Sequence, residues 1–107
     1  MAFTITQNDT SPSIKATLKD GAGTIINLTS ASCKIHVLPL GGSVLKVNAL
    51  TTITEPLTGV VQYDWLPADT TDFGTFSIQF EVTYGNGTIE TFPNNGSLAM
   101  IITKELG

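Results

Sequence analysis

The sequence predicts an all-β protein: an antiparallel β-sandwich of about seven strands, forming a single domain over residues 1–107. Three observations carry that prediction. From Gly74 to Tyr84 every second residue is apolar, clusters of Gly, Asn, Asp and Pro divide the chain into short runs, and no segment sustains a helical period. A chain of 107 residues can also bury a core of its own without disulfide or metal staples.

The elements follow in chain order. Ser13 to Lys19 sets Ile14, Ala16 and Leu18 against Lys15, Thr17 and Lys19, the alternation of a half-buried strand, and Asp20-Gly21 with Gly23 supplies the turn after it. Cys33, Ile35 and Val37 alternate with Lys34 and His36 up to a turn at Pro39 and Gly41-Gly42, beyond which Leu45, Val47 and Ala49 alternate with Lys46 and Asn48. Gly59 to Trp65 places Val61, Tyr63 and Trp65 on one face, and Gly74 to Tyr84 does the same for Phe76, Ile78, Phe80, Val82 and Tyr84. Tyr63, Trp65, Phe76 and Phe80 are the expected core anchors. Asn86-Gly87 favours a primed two-residue turn, which would put Tyr84 opposite Ile89, and Pro93-Asn94-Asn95-Gly96 marks a further turn. The last run, Leu98, Ala99, Met100, Ile101 and Ile102, is apolar on both faces. It is therefore expected to be covered on both sides, by loops of its own chain or by a neighbouring subunit, and is the candidate assembly strand.

Composition excludes several functions. The net charge is −4 and the five cations are single lysines at 15, 19, 34, 46 and 104, with no arginine, so the clustered basic surface that neutralises phosphates is absent and no nucleic-acid partner is expected. No apolar run approaches the ~18 residues of a membrane helix, so no membrane partner is expected. Cys33 is the single cysteine, and the opening MAFTITQNDT has neither a basic nor an apolar leader region, which points to synthesis in a reducing cytosol. The sequons at Asn8, Asn27, Asn86 and Asn95 then read as turn chemistry rather than glycan sites.

One stretch invites a functional reading. "DWLPADTTDFGTF" gathers Asp64, Asp69 and Asp72, and oxygen ligands of this kind suit calcium. The spacing lacks the order of a calcium-binding loop, however, and Asp69 and Asp72 flank a Thr-Thr pair where a short helical turn takes capping side chains. The expectation is a structural corner with no metal. His36 falls on a solvent face without a nucleophile or orienting carboxylate, and Cys33 falls inward, where it acts as a small hydrophobe. Glu81, Glu90 and Asp64 could pair as carboxylates, but such groups usually form a solvated sheet face. A sugar-stacking platform would have only Phe3, Phe73 and Phe92 to draw on. No catalytic residue, cofactor or metal is expected.

Asp72-Phe73-Gly74-Thr75-Phe76 resembles the Asp-x-Gly-x-Tyr corner of immunoglobulin-like domains, with Phe76 in place of the tyrosine, so only packing would remain. More broadly, "NDTSPSIKATLKDGAGTIINLTSASCKIHVLPLGG" and "GVVQYDWLPADTTDFGTFSIQFEVTYGNGTIETFPNNG" resemble the immunoglobulin-like N-terminal domain of the phage baseplate upper protein family, from about Asn8 to Ile102. Ser30 stands where many relatives have glycine, and members of the family continue into a helical stalk and receptor-binding attachments that this sequence does not include. The resemblance implies an immunoglobulin-like sandwich without enzymatic activity. It would be a structural subunit of a tailed bacteriophage virion, in the tail or baseplate, made in the host cytoplasm and partnered by other virion proteins or by copies of itself in a ring. Alternatives are a head decoration or neck completion protein and a carbohydrate-binding adhesin module.

Overall fold

A computed structural model describes residues 2–93 and 98–106. Of the turn expected at Pro93-Asn94-Asn95-Gly96, residues 94–96, with the sequon at Asn95, lie outside the described residues. The strands are β1 (Ala2–Thr6), β2 (Ile14–Thr17), β3 (Ser32–Pro39), β4 (Val47–Leu50), β5 (Thr52–Glu55), β6 (Val60–Tyr63), β7 (Gly74–Thr83), β8 (Ile89–Phe92) and β9 (Leu98–Thr103). They form two sheets. The larger runs β1-β9-β7-β3-β4 with β8 also on β7, and the smaller runs β2-β6-β5.

β7 organises the larger sheet because it is long and cleanly alternating. One side pairs with β3 from Pro39↔Phe76 to Ser32↔Thr83; the other pairs with β9 over 74–78 and with β8 over 80–83. Phe76, Ile78, Phe80 and Val82 are buried, as are Cys33, Ile35 and Val37 beside them and Ile14, Leu18, Val61, Tyr63 and Trp65 from the smaller sheet. All belong to one cluster, in which the inward residues of the two sheets meet.

Nine strands among the described residues replace the expected seven, and the pairing is not wholly antiparallel. β1 lies parallel to β9, with Ala2↔Ala99 through Thr6↔Thr103. Partners that far apart in sequence share no turn, so nothing local announces the pairing. Of the two covers expected for the second face of β9, the described residues of its own chain supply none. Met100 and Ile102 are buried, but Ala99 and Ile101 on the other face are exposed, so no described part of the chain covers that face. β9 is also no edge, since it sits between β1 and β7. Leu45, placed in a strand by its alternation, instead precedes β4 and is exposed, because the loop closes through Lys46 N–H to Val37 O at 2.7 Å.

The turns show what their residues are for. Asp20 Oδ1 accepts from the amides of Ala22 and Thr24, and the Gly42 amide bonds Pro39 O, as expected. The Asn86-Gly87 turn differs: Gly87 N–H bonds Tyr84 O, Tyr84 N–H bonds Thr88 O, and only Gly87 has positive φ (89°). The result is a three-residue loop in which Asn86 Oδ1 accepts from both the amide and hydroxyl of Thr88. That extra residue shifts the register by one, so Thr83 faces Ile89, and Ile89 turns to solvent. Asn27 and Thr29 repeat the same side-chain arrangement, so two of the sequons are Asx turns. Ser30, where the family resemblance expects glycine, holds φ 64°. Gly59 (φ 68°) permits a close crossing, since a Cβ there would lie 2.7 Å from Ile26 O.

Candidate functional site

The three aspartates of the DWLPADTTDFGTF stretch take separate partners. β6 runs on through Asp64 and Trp65 into a 3₁₀ turn at Pro67–Thr70, where Pro67 presets the first backbone angle. Asp69, the third residue of that turn, reaches back: its Oδ2 accepts from Leu66 N–H at 2.9 Å and from Tyr63 O–H at 2.6 Å. Burial first, then the hydrogen bond and charge of Asp69, push the Tyr63 phenol well above the ordinary tyrosine range. Asp64 is exposed and accepts from Ser13 Oγ and Gln62 Nε2, the two hydrogen bonds that hold its carboxyl below the usual range. Asp72 does not cap the turn as expected. It pairs with Lys46 Nζ at 3.1 Å and is 72% exposed.

No group of three or more His, Cys, Asp or Glu able to hold a metal ion occurs among the described residues. Adding calcium or a chelator should therefore leave Tm unchanged, and Asp72→Ala should lose at most about 1 kcal/mol, the range of an exposed ion pair. Thermal melts with and without calcium check both; a calcium-dependent rise of several degrees would reverse the assignment.

The other candidates are likewise dispersed. Cys33 is 1% exposed and its thiol is raised by burial, which keeps it protonated and unreactive. His36 is half-buried on the outer face, opposite Gln79 and Asn48. Glu81 and Glu90 fall on opposite faces, because Glu81 pairs with Thr91 while Glu90 sits opposite buried Val82, and Asp64 follows a strand of the other sheet. The three do not form a carboxylate pair. Glu90 instead accepts from the Tyr84 hydroxyl at 2.7 Å. Burial, then this bond and the carboxylate charge, push Tyr84 up to about 12. A tyrosine raised in the folded state contributes stability below its unfolded pKa of ~10 and loses it as pH rises toward the folded value. Stability should thus fall between about pH 10 and 12, and a spectrophotometric phenolate titration showing both tyrosines ionising near 10 would contradict this.

The aromatic residues form no platform. Tyr63, Trp65, Phe76, Phe80 and Phe92 are buried, and Phe3 stacks at a tilt on Trp65 with ring centroids 5.7 Å apart. Phe73 is 55% exposed, with Lys104 Nζ 5.7 Å from its ring centre.

Large apolar side chains are exposed at several places, Ile25, Leu50, Leu57, Leu66 and Ile89 among them, and one group lies where the sequence reading did not look. Leu40, Val44 and Leu45 in the β3–β4 loop are exposed, and this loop is tied to the turn that carries Phe73: Leu40 N–H bonds Thr75 O, and Lys46 Nζ bonds Thr71 Oγ1 as well as Asp72. The Gly-Gly turn flanked by aliphatic residues was the available signal, masked by reading Leu45 as strand. Another apolar exposure is the outer face of β9. There Ile101, 39% exposed, sits between Thr4 and Thr75, and Ala99 between Ala2 and Ser77.

No protein-family model matches the chain, and no curated protein matches it in sequence. Among solved structures it is similar to the crystal structure of CopC from Methylosinus trichosporium OB3b, with a TM-score of 0.57 and 14% sequence identity over 99% of this chain and 87% of that one. Similarity at that identity shows the fold alone, an all-β architecture of two facing sheets.

Proposed function

We propose that the chain is a non-enzymatic structural module that works by protein–protein assembly, as a subunit of a tailed bacteriophage particle in its tail or baseplate. The observation that carries the assembly reading is the placement of apolar side chains in solvent: Leu40, Val44, Leu45 and Phe73 at one end of the sheets, and Ala99 and Ile101 on an outer face otherwise lined by Thr4, Thr75, Ser77 and Glu81. Exposed apolar groups gathered on neighbouring loops mark interaction sites more often than those scattered singly. The phage setting comes from the sequence resemblance. An immunoglobulin-like reading is supported by strand order, with β2, β6 and β5 in the places of strands B, E and D, and β3, β7 and β8/β9 in those of C, F and G. The adhesin alternative is disfavoured by the burial of five of the eight aromatic rings, with Phe73 the one that is exposed.

Ala99→Lys and Ile101→Lys should leave the fold intact, because both side chains already meet solvent, but block incorporation by burying an unpaired charge at the contact. The variants are supplied to an infected host lacking the wild-type copy, and the protein in purified particles is weighed. Normal incorporation of both would remove the β9 face from the assembly surface.

A further inference from the structure

We propose that the free edge of β2 is a strand-acceptor site, which takes an extended segment of a partner protein whose apolar residues alternate with acidic ones. The inference rests on the assembly part of the reading above and not on the phage setting. β2 pairs with β6 alone, and no described strand occupies its other side, the position of strand A in an immunoglobulin-like sandwich. Backbone direction follows from Leu18, whose N–H bonds Gly59 O at 2.8 Å and whose carbonyl accepts from Ile26 N–H at 3.0 Å. The groups of Ile14, Ala16 and Leu18 thus turn toward β6, and by alternation those of Lys15, Thr17 and Lys19 turn outward. Among the described residues nothing bonds these outward groups.

An apolar cleft of about 250 Å³ lies beside this edge, lined by Ala16 and Leu18 on one side and Phe80, Phe92 and Leu98 on the other. It falls below the ~300–1,000 Å³ of sites that enclose a whole small molecule, and suits a few side chains projecting from a strand. A strand added to β2 would send alternate side chains into the cleft while its backbone completes the edge, the arrangement of β-augmentation. Its other side chains would stand on the outer face, opposite Lys15 and Lys19. Both lysines are exposed and carry no ion pair among the described residues, so carboxylates are the complementary cross-strand neighbours. That charge selects an acidic partner segment.

The test uses the full chain and two capped octapeptides, one alternating Val and Glu and the other Val and Lys, with amide exchange followed by NMR. The Val-Glu peptide should slow exchange at Lys15, Thr17 and Lys19 by about tenfold or more, and the Val-Lys peptide should not. The double variant Lys15→Glu/Lys19→Glu should invert the preference. Thr17→Pro, which removes an outward N–H at an edge position where proline is tolerated, should abolish binding; if that variant fails to fold, the charge inversion decides. No protection by either peptide, equal protection by both, or unchanged binding to a folded Thr17→Pro protein would overturn the proposal, and each of these outcomes would leave the particle-incorporation test standing.

Discussion

Replacing Trp65 by alanine should destabilise the protein by about 3 to 5 kcal/mol, a large share of the ~5 to 15 kcal/mol that holds a domain of this kind together. The residue continues the β6 strand inward, is 3% exposed, and joins the two sheets through its rings: Phe3 of β1 lies 5.7 Å away at a tilt, and Tyr63 of β6 packs edge-on at 5.2 Å. Alanine would leave a cavity bounded by both sheets, which neither can close without moving the other. Among the described residues the indole N–H has no hydrogen-bond partner, so it opposes the burial of the ring instead of assisting it. Trp65→Phe should therefore lose clearly less than Trp65→Ala, because it keeps most of the packing and removes the unpaired donor. Chemical denaturation measures both differences. Indole emission of the folded wild type should be blue-shifted, and a solvent-like spectrum would contradict the assignment.

Asp69→Ala should have the second largest effect, about 2 to 4 kcal/mol, because one carboxylate oxygen serves two donors. Its removal frees Leu66 N–H at the start of the 3₁₀ turn, a capping loss of ~0.5 to 2 kcal/mol, and strands the Tyr63 hydroxyl, which is 6% exposed as a residue and costs ~1 to 3 kcal/mol when unsatisfied. Tyr63→Phe alone should cost about 1 kcal/mol, since it deletes the donor and leaves the carboxylate its second partner. The double variant should lose less than the sum, as removing both partners strands neither. Strict additivity in a double-mutant cycle would show that the two groups do not act together.

These two residues also show how far the sequence could be read. Trp65 was legible because its face is shared with Val61 and Tyr63, and a strand with one buried face advertises it by alternation. The same rule found β2, β3 and β7. It left β9 ambiguous, because an apolar residue does not have to be buried within its own chain: Ala99 and Ile101 alternate with the buried Met100 and Ile102 yet meet solvent in the fold. Asp69 and Asp72 flank one turn and read alike, yet Asp72 finds Lys46 across 26 residues and leaves the turn to Asp69. Long-range pairings of this kind have no local signature. The parallel join of β1 to β9 was hidden for the same reason, and the open edge of β2 depends on which strand ends outermost, a property of the sheets rather than of any segment.

The central claim is that this protein acts by being built into a larger particle, and the most direct measurement is its copy number there. Phage particles purified through a density gradient and a high-salt wash would be weighed by quantitative mass spectrometry against a major structural protein. The account predicts a fixed ratio, several copies per particle, unchanged by the wash. Abundant protein in the infected-cell lysate with none in the particles would contradict it.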